Sequence, residues 1–211
     1  MKEERVAFKS GELTLEGMLA YPDAGAGPHR AAVVCHPHPL YGGSMYNNAV
    51  DAALEALHAR GFATLRFNFR GVGQSEGEFD NGRGEADDAV AAVRFLTAQK
   101  GVSAAGAVLG GYSFGAATAV RAAASVEAVA AIVAIALPLG MIDPAALGAI
   151  VKPIVLLAGD RDSYCPADDL TALAGRLGPL ARLKIIPGAD HFFGGHEQEI
   201  IAALDAALAT L

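Results

Sequence analysis

Apolar, β-rich runs alternate with Ala-rich amphipathic runs along almost the whole chain, and this alternation limits the folds open to it more than any single residue does. "AAVVCH" is followed by "MYNNAVDAALEALHAR", "FATLRFNF" by "GEADDAVAAVRFLTAQK", and "AGAVLGGYS" by "FGAATAVRAAAS". The strand runs are apolar at consecutive positions, so both faces of the sheet must be covered, as in a mostly parallel sheet with helices on both sides. Strands at "AVAAIVAIAL", "PIVLLAG" and "RLKIIP" continue the pattern, with helices from about Ala167 and over "HEQEIIAALDAALATL". An opening pair, about Val6 to Lys9 with Leu13 to Tyr21, is joined by "SGE" and reads as an antiparallel hairpin. About eight strands result. A length of 211 residues fits one α/β domain spanning residues 1–211.

The longest uncharged run, Ala128 to Ile142, is interrupted by Pro138 and falls short of the roughly 20 apolar residues of a membrane span, so it reads as a buried strand. Only about fifteen residues separate that strand from the next, and they include Pro138, Gly140 and Pro144, which leaves no room for a large helical lid. "PDAGAGPHR" and "LYGGS" read as loops within the domain.

A formal net charge of −7, with Lys and Arg scattered, argues against a polyanion-binding surface and so against nucleic acid as a partner. The start "MKEERVAFKSGE" is charged and has no apolar leader core, which predicts a cytoplasmic protein with no membrane attachment. Cys35 and Cys165 form no CxxC pair and are expected to be free thiols, so no thiolate metal site is indicated.

The stretch "VLGGYSFGAAT" holds Ser113 in the spacing Gly-x-Ser-x-Gly. In a chain with 25 Gly, chance supplies roughly 0.1 such matches, so the setting must decide. Ser113 falls where an apolar strand gives way to a helix. A tight strand-to-helix turn needs small neighbours at Gly111 and Gly115 and lifts the serine hydroxyl into the open. The amide of Phe114 would then stand at a helix N-terminus, favourable to an incipient oxyanion. The competing reading is a serine N-cap between packing glycines.

A serine hydroxyl needs a base, and the base an orienting acid. In "LLAGDRDSYCP" both Asp160 and Asp162 follow a buried strand at the end where parallel sheets build active sites. His191 in "IIPGADHFFGG" occupies the loop after the last strand and is the base by position. The chain order serine, acid, histidine is the one this fold uses.

"GYSFG", "GDRDSYCP" and "GADHFF", together with "HPHPLYGGSMYNN" and "RFNFRGVGQSEGEFDNGRGEADD", resemble the small lidless α/β-hydrolases, a bacterial serine-hydrolase subgroup similar to dienelactone hydrolases. The likeness runs from about His36 to Phe193. It implies the α/β-hydrolase fold, no cofactor, and a Ser–His–Asp triad of Ser113, His191 and Asp162, the last within Gly-x-x-Asp-x-x-x-Pro. Dienelactone hydrolases proper carry cysteine at the elbow where this chain has Ser113.

A second oxyanion donor is expected from the loop "CHPHPLYGG", where Pro37 and Pro39 have no N–H and the amides of His36, His38 and Leu40 remain. Resemblance to the His-Gly-x loops of related hydrolases points to His38. Some of Tyr41, Phe114, Met141 and Phe192 are the expected lining of a shallow substrate pocket. His-x-His after a strand also opens the ligand sets of some metal hydrolases, with Asp190, His191 and His196 as possible completions. That reading leaves the elbow unexplained. "GVGQSEG" misses the dinucleotide spacing; Arg70 and Ser75 are expected to brace a loop, Asp87 and Asp88 to be first-turn helix acids, and His196 to neighbour a helix cap. The implied activity is carboxylester hydrolysis of a small-molecule substrate. A thioesterase or small-peptide amidase would use the same triad, and a non-catalytic binding module would keep only the fold.

Overall fold

The computed structural model describes residues 3–23 and 27–209. The loop expected over "PDAGAGPHR" therefore lies partly outside the described residues, as do the chain's first two and last two positions.

Among the described residues, a single eight-stranded sheet runs in the order β1-β2-β4-β3-β5-β6-β7-β8. Its strands are β1 (Glu3–Ser10), β2 (Leu13–Ala20), β3 (Ala31–Cys35), β4 (Ala63–Phe67), β5 (Ala107–Tyr112), β6 (Val129–Ile135), β7 (Ile154–Gly159) and β8 (Ala181–Ile186). β1 and β2 form the expected antiparallel hairpin, β2 joins β4 antiparallel, and all remaining pairings are parallel. Every residue of β3, β4, β5 and β7 is buried, as strands covered on both faces require. The edge strand β1 instead mixes exposed and buried positions.

The covering helices are α1 (Asn48–Ala59), α2 (Gly84–Thr97), α3 (Phe114–Ala123), α4 (Pro144–Gly148), α5 (Ala167–Leu177) and α6 (Glu197–Leu208). α1 packs against α6 and α2 against α3, and together they cover both sides of the sheet. Asn47 caps α1 by accepting the Ala49 amide at 3.0 Å, which satisfies one of the unpaired donors of the first turn. The segment between β6 and β7 holds one 3₁₀ turn, Leu139–Met141, and the one-turn-plus α4. α4 is too short to show a period in the sequence, and the segment is no lid. Among the described residues, no helix is long and apolar enough to cross a membrane.

One expectation is corrected in α2. Asp88 lies past the first turn, whose acids are Glu85 and Asp87, and is fully buried. It takes both Arg70 side-chain bonds, at 2.7 and 3.0 Å, with the Arg70 amide and the Ser10 hydroxyl as further donors. A buried carboxylate is tolerated only when so compensated. Arg70 therefore braces the segment after β4 by ion pairing, and Ser75 does so by donating to the Asn68 carbonyl at 2.7 Å.

Candidate active site

β5 ends at Tyr112 and α3 begins at Phe114, so the whole reversal falls on Ser113. Its φ of 55° and ψ of −120° place a residue with a side chain in the left-handed half of conformational space, a strain of roughly 1–3 kcal/mol. Neighbouring bonds enforce it: the Ser113 amide donates to the Ile135 carbonyl at 2.8 Å, and its carbonyl accepts from Ala116 and Ala117. Gly111 and Gly115 are needed for close approach. A Cβ on Gly111 would strike the backbone of Gly115, and one on Gly115 would strike the carbonyls of Cys35 and His36. The Ser113 side chain makes no capping bond to α3, so the N-cap reading fails.

The hydroxyl turns instead to His191. Ser113 Oγ lies 2.9 Å from His191 Nε2, and His191 Nδ1 lies 2.8 Å from Asp162 Oδ2. The Asp162 carboxylate is fully buried, and its other oxygen accepts the amides of Tyr164 and Cys165 at 2.8 and 2.9 Å. These three contacts hold the carboxylate beneath the imidazole, fix the proton on Nδ1 and leave Nε2 free to take one from Ser113. Asp160 is set apart from this chain. Its Oδ1 accepts the Gly188 amide at 2.7 Å and so shapes the loop that delivers His191.

Tyr112, Tyr164 and Asn48 carry roles that sequence reading missed. The Tyr112 hydroxyl donates to the His191 carbonyl at 2.7 Å. Burial, with Asp162 and Asp190 nearby, pushes that phenol up, so it remains a donor. Tyr164 lays its ring 4.8 Å from that of His191. Asn48 donates to the Phe192 carbonyl and to Glu197, both at 3.0 Å, tying the histidine loop to α1 and α6. Tyr112 sits inside the elbow motif, the only signal that could have flagged it; nothing local marks the other two.

The loop after β3 is built on His36, which is buried on all sides. Its Nδ1 lies 2.6 Å from the Pro37 carbonyl, and its Nε2 accepts the Phe69 amide at 3.1 Å. Burial lowers its pKa to about 4, so the ring is neutral with the proton on Nδ1. Both nitrogens are committed, which removes His36 from any metal ligand set. His38 Nδ1 accepts the Leu40 amide at 3.2 Å and opens the 3₁₀ turn Pro39–Tyr41. Its ring packs on Tyr41, Phe79 and Phe114 at 4.7 to 5.0 Å. His196 pairs with Glu199 at 3.3 Å at the start of α6. Among the described residues, no group of three or more His, Cys, Asp or Glu is arranged to hold a metal ion.

The free cysteines are both buried and pushed up by that burial, so they are protonated thiols rather than nucleophiles. Cys165 donates to the Leu137 carbonyl at 2.9 Å.

The expected pocket residues divide. Phe114 is corrected: its side chain is fully buried against Phe69 and Phe79 and lines nothing, leaving only its amide for the site. Tyr41, Met141 and Phe192 are exposed, at 87, 37 and 64 %, and so do not make a buried pocket wall. The Met141 carbonyl accepts from Arg121 of α3. Three surface hollows of about 260, 970 and 510 Å³ are lined by none of Ser113, Asp162 or His191.

A strained serine between two glycines, with a buried acid and a histidine from later loops of one parallel sheet, defines the serine-hydrolase class of the α/β-hydrolase fold. The chain belongs to the X-Pro dipeptidyl-peptidase (S15) family, whose profile matches residues 14–158. It is 38 % identical over 215 residues to an uncharacterised protein of Rickettsia prowazekii, covering 98 % of this chain and 89 % of that one. Among solved structures it is similar to an alpha-beta serine hydrolase homologue from Coxiella burnetii, with 31 % identity, TM-score 0.87 and coverage of 99 % and 98 %. A lidless serine hydrolase from Xanthomonas campestris is similar at 32 % identity and TM-score 0.86, covering 99 % of this chain and 94 % of its own.

Proposed function

We propose that the protein hydrolyses small carboxylic esters with short acyl chains, through an acyl-enzyme on Ser113. The single observation that carries this is the unbroken relay from Ser113 Oγ to His191 to Asp162 at 2.9 and 2.8 Å. His191 takes the hydroxyl proton as Oγ attacks the ester carbonyl, then returns it to the departing alcohol. In the second half a water attacks the acyl-enzyme with the same base, and the acid is released. Phe114, first residue of α3, has no carbonyl behind it in the helix to receive its amide, which is the first oxyanion donor. The His38 amide is the second, since its loop crosses the elbow where Gly115 meets the His36 carbonyl.

The exposed aromatic rings beside His191, Tyr164 and Phe192, suit an uncharged ester better than the charged N-terminus of a peptide. The S15 family match favours a dipeptidyl-peptidase reading, and the triad serves either. Labelling with a fluorophosphonate, read by intact mass, is expected to add one adduct at Ser113. Side-by-side rates on p-nitrophenyl acetate and an Xaa-Pro p-nitroanilide then separate the readings. Turnover of the anilide alone would replace the esterase assignment by the peptidase one.

A further inference from the structure

We infer that Tyr164 and Phe192 form the leaving-group subsite and select esters of aromatic alcohols; this rests on the esterase reading above. Both rings pack on the imidazole of His191, Tyr164 tilted with centroids 4.8 Å apart and Phe192 edge-on at 5.7 Å. Yet both are largely open to solvent, at 65 and 64 % exposure.

Their mounting is rigid. The Tyr164 amide is held by Asp162 at 2.8 Å. Phe192 is fixed at both ends of its backbone, its amide by Asp190 at 2.9 Å and its carbonyl by Asn48 at 3.0 Å. The next residue, Phe193, takes a φ of 54°, uncommon for a bulky side chain, and is itself completely buried. That turn sends Phe193 inward and Phe192 outward. Two apolar rings held out in water by fixed backbone have the features of a preorganised binding surface.

Reaction chemistry says which part of the substrate meets them. As the tetrahedral intermediate collapses, its oxyanion electron pair restores the carbonyl. The bond from carbon to the alcohol oxygen breaks, and that oxygen takes the proton from His191 Nε2. The alcohol oxygen must therefore lie within hydrogen-bond reach of Nε2, roughly 2.6–3.2 Å. Its first carbons then lie beside whatever flanks the imidazole, and the flanking groups are two aromatic rings, one tilted and one edge-on to it. The acyl group instead extends from the carbonyl held at Phe114 and His38, away from the histidine.

Benzyl and ethyl acetates test this, because their alcohols are comparable acids and differ mainly in the ring. In Tyr164→Ala/Phe192→Ala the benzyl-to-ethyl ratio of kcat/KM is expected to fall about tenfold, as loss of two aromatic contacts implies. The benzyl acetate-to-butyrate ratio, which reads the acyl side, is expected to hold. A collapse of the acyl ratio with the alcohol ratio intact would overturn the assignment, as would no change in either. Binding of benzyl alcohol, followed by ligand NMR with Ser113→Ala as background, separates the two levels of the argument. A wild type inert to every ester defeats the esterase reading, while loss of benzyl alcohol binding in the double variant still supports the subsite, and retained binding rejects it. Circular dichroism checks that the variants fold, which their exposed positions favour.

Discussion

At Ser113 the backbone strain and the chemistry are the same fact. A left-handed serine is held by the Ile135 carbonyl and the first turn of α3, and this aims Oγ at His191 Nε2. Ser113→Ala and His191→Ala are expected to lower kcat/KM by similar factors, several orders of magnitude each, because triad members act as a unit. Asp162→Asn falls between them and wild type, since asparagine keeps the shape but sets the imidazole in the wrong tautomer. His38→Ala should cost far less, because its amide survives; Asp160→Asn should cost little, because an amide oxygen still accepts from Gly188. Initial rates of the five variants on p-nitrophenyl acetate check all of these, and a folded His38→Ala as inactive as Ser113→Ala would shift the base to His38. Gly115→Ala is a structural counterpart. Its methyl has nowhere to go except into the carbonyls of Cys35 and His36, so the elbow must open, and activity is expected to fall with little left of the Ser113–His191 alignment.

Among elements, the loop after β3 has the clearest pH signature. His36 sits there neutral, its pKa lowered by burial to about 4 from an ordinary 6.5. Below 6.5 the unfolded chain binds this proton and the folded one does not, so stability falls as pH drops from about 6.5 to 4 and levels out beneath. The integrated loss is on the order of 3 kcal/mol, and urea midpoints across that range should show it. His36→Gln, which can still donate and accept, is expected to flatten this acid limb. This loop also shows how far sequence carries. Strands and helices were legible because burial on both sheet faces forces runs of Val, Ile, Leu and Ala, as in β3 and β7, and caps such as Asn47 announce helix starts. Ser113, Asp162 and His191 were legible as candidates because an elbow has strict local demands and the loops after β7 and β8 stand at one end of the sheet. Between Asp160 and Asp162 the residues alone left both open and the family resemblance pointed to Asp162; the hydrogen bond shows which carboxylate reaches the imidazole. Asp88 and Tyr164 were not legible, because their partners Arg70, Ser10 and His191 are brought to them by long-range packing.

At the scale of the molecule, what matters is how little stands above the sheet. Helices cover its two faces, but among the described residues the loops at the end that carries Ser113 hold only the short 3₁₀ turns Pro39–Tyr41 and Leu139–Met141, and the segment between β6 and β7 adds no more than the five-residue α4. An acyl chain gains affinity by burying its methylenes, about 0.8 kcal/mol for each fully removed from water. Such burial needs an enclosed tunnel, and here the apolar groups expected on the acyl side, Tyr41 and Met141, are themselves exposed. Each added methylene beyond the first few therefore remains in water and contributes almost nothing to transition-state binding. Across p-nitrophenyl acetate, butyrate, octanoate and palmitate, kcat/KM is expected to gain nothing beyond butyrate, instead of rising severalfold with each pair of buried methylenes as a tunnel would make it do. Holding the leaving group constant keeps Tyr164 and Phe192 equally engaged throughout, so the series reads the acyl side alone. A maximum at palmitate, measured below the micelle concentration, would require an apolar channel that this open end does not provide.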